Sequence, residues 1–157
     1  MTSQAPCQDN EFLAEHVMLL QSSYQRLTGR LLFPHAAGVL ETAKVAFSAP
    51  FVLVSHNTLE DPVFNYANRA ALKLFEMPWS EFTQLRSRES AEPANQQERA
   101  RLLADVTNKG FCEGYSGIRI SKTGKRFWIR DVTVWNLTDD SGCYQGQAAV
   151  YANWEYL

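Results

Sequence analysis

FCEGYSGIRISKTGKRFWIRDVTVWNLTDDSGCYQGQAAVYAN, residues 111–153, reads as strand, turn, strand, turn, strand. The strands are placed at Phe111–Ser121, Lys125–Leu137 and Cys143–Asn153, rich in aromatic and β-branched residues. Gly124 and Gly142 fall in the two turns, where positive φ is commonly required. Working back toward the N-terminus, Phe51-Val52-Leu53-Val54 and Val63-Phe64-Asn65-Tyr66 form two more β-rich runs around turn material at 57–62. Between the two groups of strands lie three helical segments. Asn68 caps the first, the second starts near Trp79, and Asn95 with Glu98 suggests a capping box for a third that closes at Gly110. Ahead of everything, Asp9 is a candidate N-cap for a helix carrying Leu13, Val17, Leu20, Tyr24, Leu27 and Leu31 on one stripe. A shorter helix is expected over Ala36–Phe47 and must end before Pro50. The expected fold is α+β: a five-stranded antiparallel sheet with the middle helices on one face and the N-terminal helices covering the other. Residues 1–49 form a helical cap, residues 50–157 the core, and the two one folded unit.

With 157 residues and 45% apolar content, the chain fits a single domain with an ordinary core. A net charge of −2 gives no electrostatic reason for a nucleic-acid or anionic-membrane partner. No apolar run is long enough to cross a bilayer, and the acidic start with Asp9, Glu11 and Glu15 is unlike a secretory signal. Cys7, Cys112 and Cys143 are an odd number at spacings that suit reduced thiols in the cytoplasm.

Several residues carry a family resemblance. Tyr66-Ala67-Asn68-Arg69-Ala70-Ala71 resembles the strand-to-helix junction of PAS domains, and Lys122-Thr123-Gly124-Lys125-Arg126-Phe127-Trp128 resembles their hairpin. A narrower similarity, to the PAS-like MEKHLA domain, rests on Glu113 to Ser121, Gly124, Arg126-Phe127, Trp135-Asn136, Gly146-Gln147-Ala148-Ala149 and Trp154. Ser87-Arg88 and Ser90-Ala91-Glu92 extend it upstream. This resemblance implies a sensory or ligand-binding module, of the stand-alone bacterial kind because no homeodomain or zipper is present. It also resembles the flavin-binding light-oxygen-voltage branch, but departs from it in chemistry. No cysteine occupies Leu85 to Pro93, and the flavin-facing amides of that branch fall on Arg119, Ile129 and Tyr151. The resemblance therefore leaves the cofactor unknown and speaks against a flavin that forms a cysteinyl adduct.

Strand alternation sorts the last three strands into two faces. With Ile129 inward, the inner face receives Tyr115, Arg119, Asp131, Thr133, Trp135, Gln147 and Tyr151 as candidate ligand-binding residues, shielded by Phe127. Buried polar groups must satisfy one another or hold a ligand. Arg119 and Asp131 are thus either a buried ion pair or part of a site for a small polar, anionic effector. Ile118, Ile120, Trp128, Val132, Val134 and Val150 are assigned to the outer face, to be covered by the N-terminal helices or by a second subunit in a homodimer. Two other readings stay open: a small enzyme with Asp131 as base and Tyr115 or Tyr151 as acid, and a ligand-free dimerisation module. His16, His35 and His56 show no paired metal-ligand spacing. Gly114-Tyr115-Ser116-Gly117 lies within a strand and is not a nucleophile elbow.

Overall fold

The computed structural model describes residues 4–157, so residues 1–3 of the expected cap lie outside the described residues. Helix α1 spans Ala14–Thr28 and α2 Val39–Ser48, followed by strands β1 Val52–His56 and β2 Phe64–Ala67. Helices α3 Arg69–Phe75, α4 Trp79–Phe82 and α5 Pro93–Lys109 come next. The chain ends with β3 Phe111–Ile120, β4 Arg126–Thr138, β5 Tyr144–Tyr151 and β6 Asn153–Tyr156. Short 3-10 turns occupy Gln8–Leu13 and Ser87–Ser90. The fold is α+β with an antiparallel sheet in the order β2-β1-β5-β4-β3. A sixth strand adds to the expected five: β6 pairs with Phe127–Arg130 of β4, continuing the edge along which β5 pairs with Thr133–Thr138.

Asn68 explains why the junction motif needs an amide. Its Oδ1 accepts from Leu53 N at 3.1 Å and Ala71 N at 3.2 Å, while Nδ2 donates to Ala46 O at 3.1 Å and Phe51 O at 2.8 Å. One fully buried side chain thereby ties α2, β1 and α3 together with its donors and acceptor used. Helix α5 starts earlier than a box at Asn95 and Glu98 requires. Pro93 occupies its first turn, where a preset φ and a missing N–H cost nothing, and Glu92 is the N-cap without a side-chain bond. Likewise Asp9 lies within the 3-10 turn, and α1 begins at Ala14.

The stripe on α1 packs on its own sheet. Val17 and Leu20 are fully buried, and Tyr24 meets Trp135 edge-on at 5.0 Å. Trp135 Nε1 donates to Leu20 O at 3.2 Å, and Ser23 Oγ donates to Thr138 O at 3.1 Å. Leu31, beyond the capping Gly29, is exposed. Toward the other end of α1, His16 Nε2 lies 2.9 Å from Ser55 Oγ and its ring stacks on Tyr66 at 5.6 Å. Since Ser55 gives its hydroxyl hydrogen to Asn65 Oδ1, His16 Nε2 is the donor in that contact.

Burial pulls the His16 imidazole down to about 4, so the unfolded chain takes up this proton first as the pH falls. The resulting stability is present above pH 6.5 and is lost between there and pH 4. It amounts to about 1–3 kcal/mol, the lower figure allowing for the ring edge that solvent still reaches. Urea denaturation at pH 7 and pH 4 checks this: His16→Gln should lose less stability than the parent over that interval by this amount. Parallel losses would contradict it.

Two compensating bulges set which side chains face inward. Cys112 pairs with Val134, Tyr115 with Val132 and Gly117 with Ile129. The first step contains an extra residue in β3, at Gly114 with φ 71°, and the second an extra residue in β4, at Asp131 with φ 51°. Beyond the β4 bulge the alternation is inverted. Val132 and Val134, expected outside, join Phe127 and Ile129 in the inner core. Asp131 is exposed, and Trp135 packs in the outer core under α1, with Thr133 on the same side of the strand. Three candidate site residues, Asp131, Thr133 and Trp135, therefore leave the inner face.

Candidate functional site: a cavity beneath helix α5

The inner face of the sheet and the underside of α5 enclose a cavity of about 50 Å³. Tyr115, Arg119, Gln147 and Tyr151 line it, as do Ile129 and the inverted Val132 and Val134. Asp131, Thr133 and Trp135 do not. The anticipated Arg119–Asp131 bridge is not formed, because the bulge turns the carboxylate to solvent. No Asp or Glu is among the described lining residues, which removes the carboxylate base that the enzyme reading assigned to Asp131.

Arg119 is 6% exposed. It donates from Nη1 to Ile118 O at 2.8 Å and from Nη2 to the Tyr115 hydroxyl at 3.3 Å, and its guanidinium lies 5.6 Å from the Tyr115 ring centre. Tyr115 in turn donates to Glu98 Oε2 at 2.9 Å, at the exposed rim. Gly117 makes this arrangement possible. A Cβ there would stand 2.3 Å from the Tyr115 hydroxyl and 3.1 Å from Arg119 Nη1, so both side chains fold across a residue that has none.

The partner for Arg119 is not an acid but a second arginine. Arg99, on the underside of α5, is 8% exposed and lines the same cavity. It makes no hydrogen bond or ion pair among the described residues. Burial, and then the neighbouring Arg119 charge, bring its guanidinium down to about 9, which leaves it cationic at neutral pH. Arg99 shares its helical face with Leu102, Leu103 and Val106. A charge at the head of an otherwise apolar i, i+3, i+4, i+7 face was the available sequence signal for it.

Gln147 acts as a latch. Its amide nitrogen reaches Leu103 O at 3.0 Å, Thr107 Oγ1 at 3.0 Å and Asn136 Oδ1 at 3.1 Å, fastening α5 to β4 and β5. His56, also in the lining, points Nδ1 at Asn57 O at 3.0 Å, and its Nε2 finds no hydrogen-bond partner among the described residues. Burial lowers its basicity, that carbonyl opposes it, and the Arg99 charge adds to the lowering. The ring is a bare acceptor when neutral. Burial also raises the Tyr151 and Tyr115 phenols, with Arg119 working against it, so both stay protonated.

One family model matches nearly the whole chain. The model of the MEKHLA domain covers residues 14–156. The chain belongs to the MEKHLA domain family. No curated protein matches it. Solved structures place this MEKHLA chain in the PAS fold. A PAS domain from Colwellia psychrerythraea is 14% identical, with a TM-score of 0.62 over 73% of this chain and 92% of its own. A light-oxygen-voltage domain studied with a flavin analogue is 18% identical, with a TM-score of 0.59 over 73% of this chain and 83% of its own. The light-state dimer of the fungal blue-light photoreceptor Vivid is 14% identical, with a TM-score of 0.55 over 67% and 78%. At these identities the likeness is one of fold. Among the described residues, no helix of this MEKHLA domain is long and apolar enough to cross a membrane.

Proposed function

We propose that this MEKHLA domain is a sensory, ligand-binding module of the cytoplasm that takes a small anionic effector into the cavity beneath α5. Occupancy is passed on as a change in helix packing or in a partner contact. The observation that carries this reading is the pair of buried guanidiniums, Arg99 and Arg119, facing one cavity with no carboxylate in its lining. Two like charges held together in a low-dielectric site repel, and an anion between them turns that repulsion into two charge-assisted contacts. Of the residues named from sequence, Tyr115, Arg119 and Tyr151 remain ligand contacts in this reading, and Gln147 serves through its hold on α5. A homodimer would use a surface other than the α1 stripe, which its own sheet occupies.

Thermal melting at constant ionic strength tests the proposal with sodium acetate, nitrate and phosphate as probes. At least one should raise the melting temperature along a saturating curve. The rise is about 5–10 °C once the probe exceeds its dissociation constant a hundredfold. Arg119→Lys should fold normally but bind at least tenfold more weakly, because a point charge does not replace the planar fork. Three flat curves for the parent protein would overturn the reading.

A further inference from the structure

Resting on that reading, we propose that the effector is a short-chain aliphatic monocarboxylate, its carboxylate held between Arg99 and Arg119 and its tail laid against Val54, Ile129, Val132 and Val134. Three features of the cavity narrow the anion to this class.

The first is charge. Arg99 and Arg119 contribute two positive charges, which the exposed Glu98 carboxylate, bonded to the Tyr115 hydroxyl, offsets in part. The remaining charge is below two, which favours a monoanion over a dianion. The bare Nε2 of His56 adds an acceptor without a donor, which disfavours a second carboxylate elsewhere in the cavity.

The second is donor geometry. Arg99 has all five of its N–H groups uncommitted to any described residue, and Arg119 has spent one on Ile118 O and one on the Tyr115 hydroxyl. Two planar forks suit a planar carboxylate with two oxygens, each oxygen able to accept from either side. A lysine, common around phosphate, is missing from the described lining.

The third is the wall. Away from the guanidiniums, the lining consists mainly of valine, isoleucine, leucine, alanine and phenylalanine side chains from four strands, α3 and α5. An inorganic anion leaves that wall unused, whereas an alkyl tail covers it. At about 50 Å³ the cavity holds roughly three to five water-sized groups, which fits acids of about one to three carbons.

Titration calorimetry on the full chain provides the test, with formate, acetate, propionate, butyrate and hexanoate as probes and nitrate and phosphate beside them. Affinity should rise roughly fourfold for each added methylene up to propionate, the free energy of burying one such group, and should fall by hexanoate. Nitrate should bind no better than formate, and phosphate more weakly still. In Arg99→Met the whole carboxylate series should weaken at least tenfold. Carboxylates that bind with no dependence on chain length, or that phosphate equals, would overturn this inference and leave the anion reading standing. Unchanged affinities in Arg99→Met would overturn the two-arginine clamp. Failure of every anion to bind would remove both.

Discussion

Deletion of residues 1–47 is expected to leave a protein that does not unfold cooperatively. Val17, Leu20, Phe33 and Phe47 are buried large side chains in that segment, worth about 1.5–3 kcal/mol each and together about 6–12 kcal/mol. That matches the whole stability of an ordinary domain, about 5–15 kcal/mol. The deletion also strips the cover from Trp135 and Leu137, both fully buried, and leaves the Trp135 indole N–H without Leu20 O. Asn68 loses one of its acceptors, the Ala46 carbonyl of α2. The helical cap and the sheet are thus expected to fold as one unit. Circular dichroism melting of residues 48–157 checks this. A sharp transition close to that of the full chain would show that the sheet stands alone.

Arg99→Met should change stability in the opposite direction. Arg99 is a buried charge with no partner among the described residues, next to a second buried charge. Replacing buried ionic groups by apolar ones of similar size stabilises by about 1–4 kcal/mol where the charges are poorly compensated. Methionine is long and flexible enough to fill the space under α5 beside Leu102 and Leu103. In urea denaturation at pH 7 without added anions, Arg99→Met is expected to be more stable than the parent by that amount. The parent should recover the difference as a binding anion is added, and the variant should not. A variant destabilised by more than about 1 kcal/mol would make Arg99 a structural residue rather than one held for a ligand.

Much of this arrangement was legible in residues 111–153. Gly124 and Gly142 fixed both turns, and counting back from Ile129 brought Tyr115, Arg119 and Tyr151 to the inner face, where they lie. The prediction failed beyond Asp131, and for a local reason. Alternation holds only while the ladder is regular, and a single residue at φ 51° inverted everything after it. Gly114 offered a hint of the matching bulge in β3. Asp131 offered a weaker one, since aspartate is depleted in strands and tolerates the left-handed region better than most residues. Val132 and Val134 were therefore placed outside and Trp135 inside, the reverse of what packing under α1 dictates. Sequence reasoning also sought a carboxylate for Arg119 on the neighbouring strand. It overlooked Arg99, which lies on helix α5 where there is no strand alternation to count on, although Arg99 sits on the apolar face of that helix. The sixth strand is a similar case: one residue, Ala152, interrupts what reads as a single run through Asn153.

The central claim is that Arg99 and Arg119 hold one anion between them. The most direct measurement is nitrogen-15 NMR of the arginine side chains, following the Nε–H resonances of both residues while sodium propionate is added at constant ionic strength. Arg99→Met and Arg119→Met assign the two signals. Both resonances are predicted to shift along a single saturating curve with a common midpoint, while exposed arginines such as Arg30 and Arg130 drift only slightly. Movement of Arg119 without Arg99, or shifts in neither beyond those of the exposed arginines, would contradict the claim.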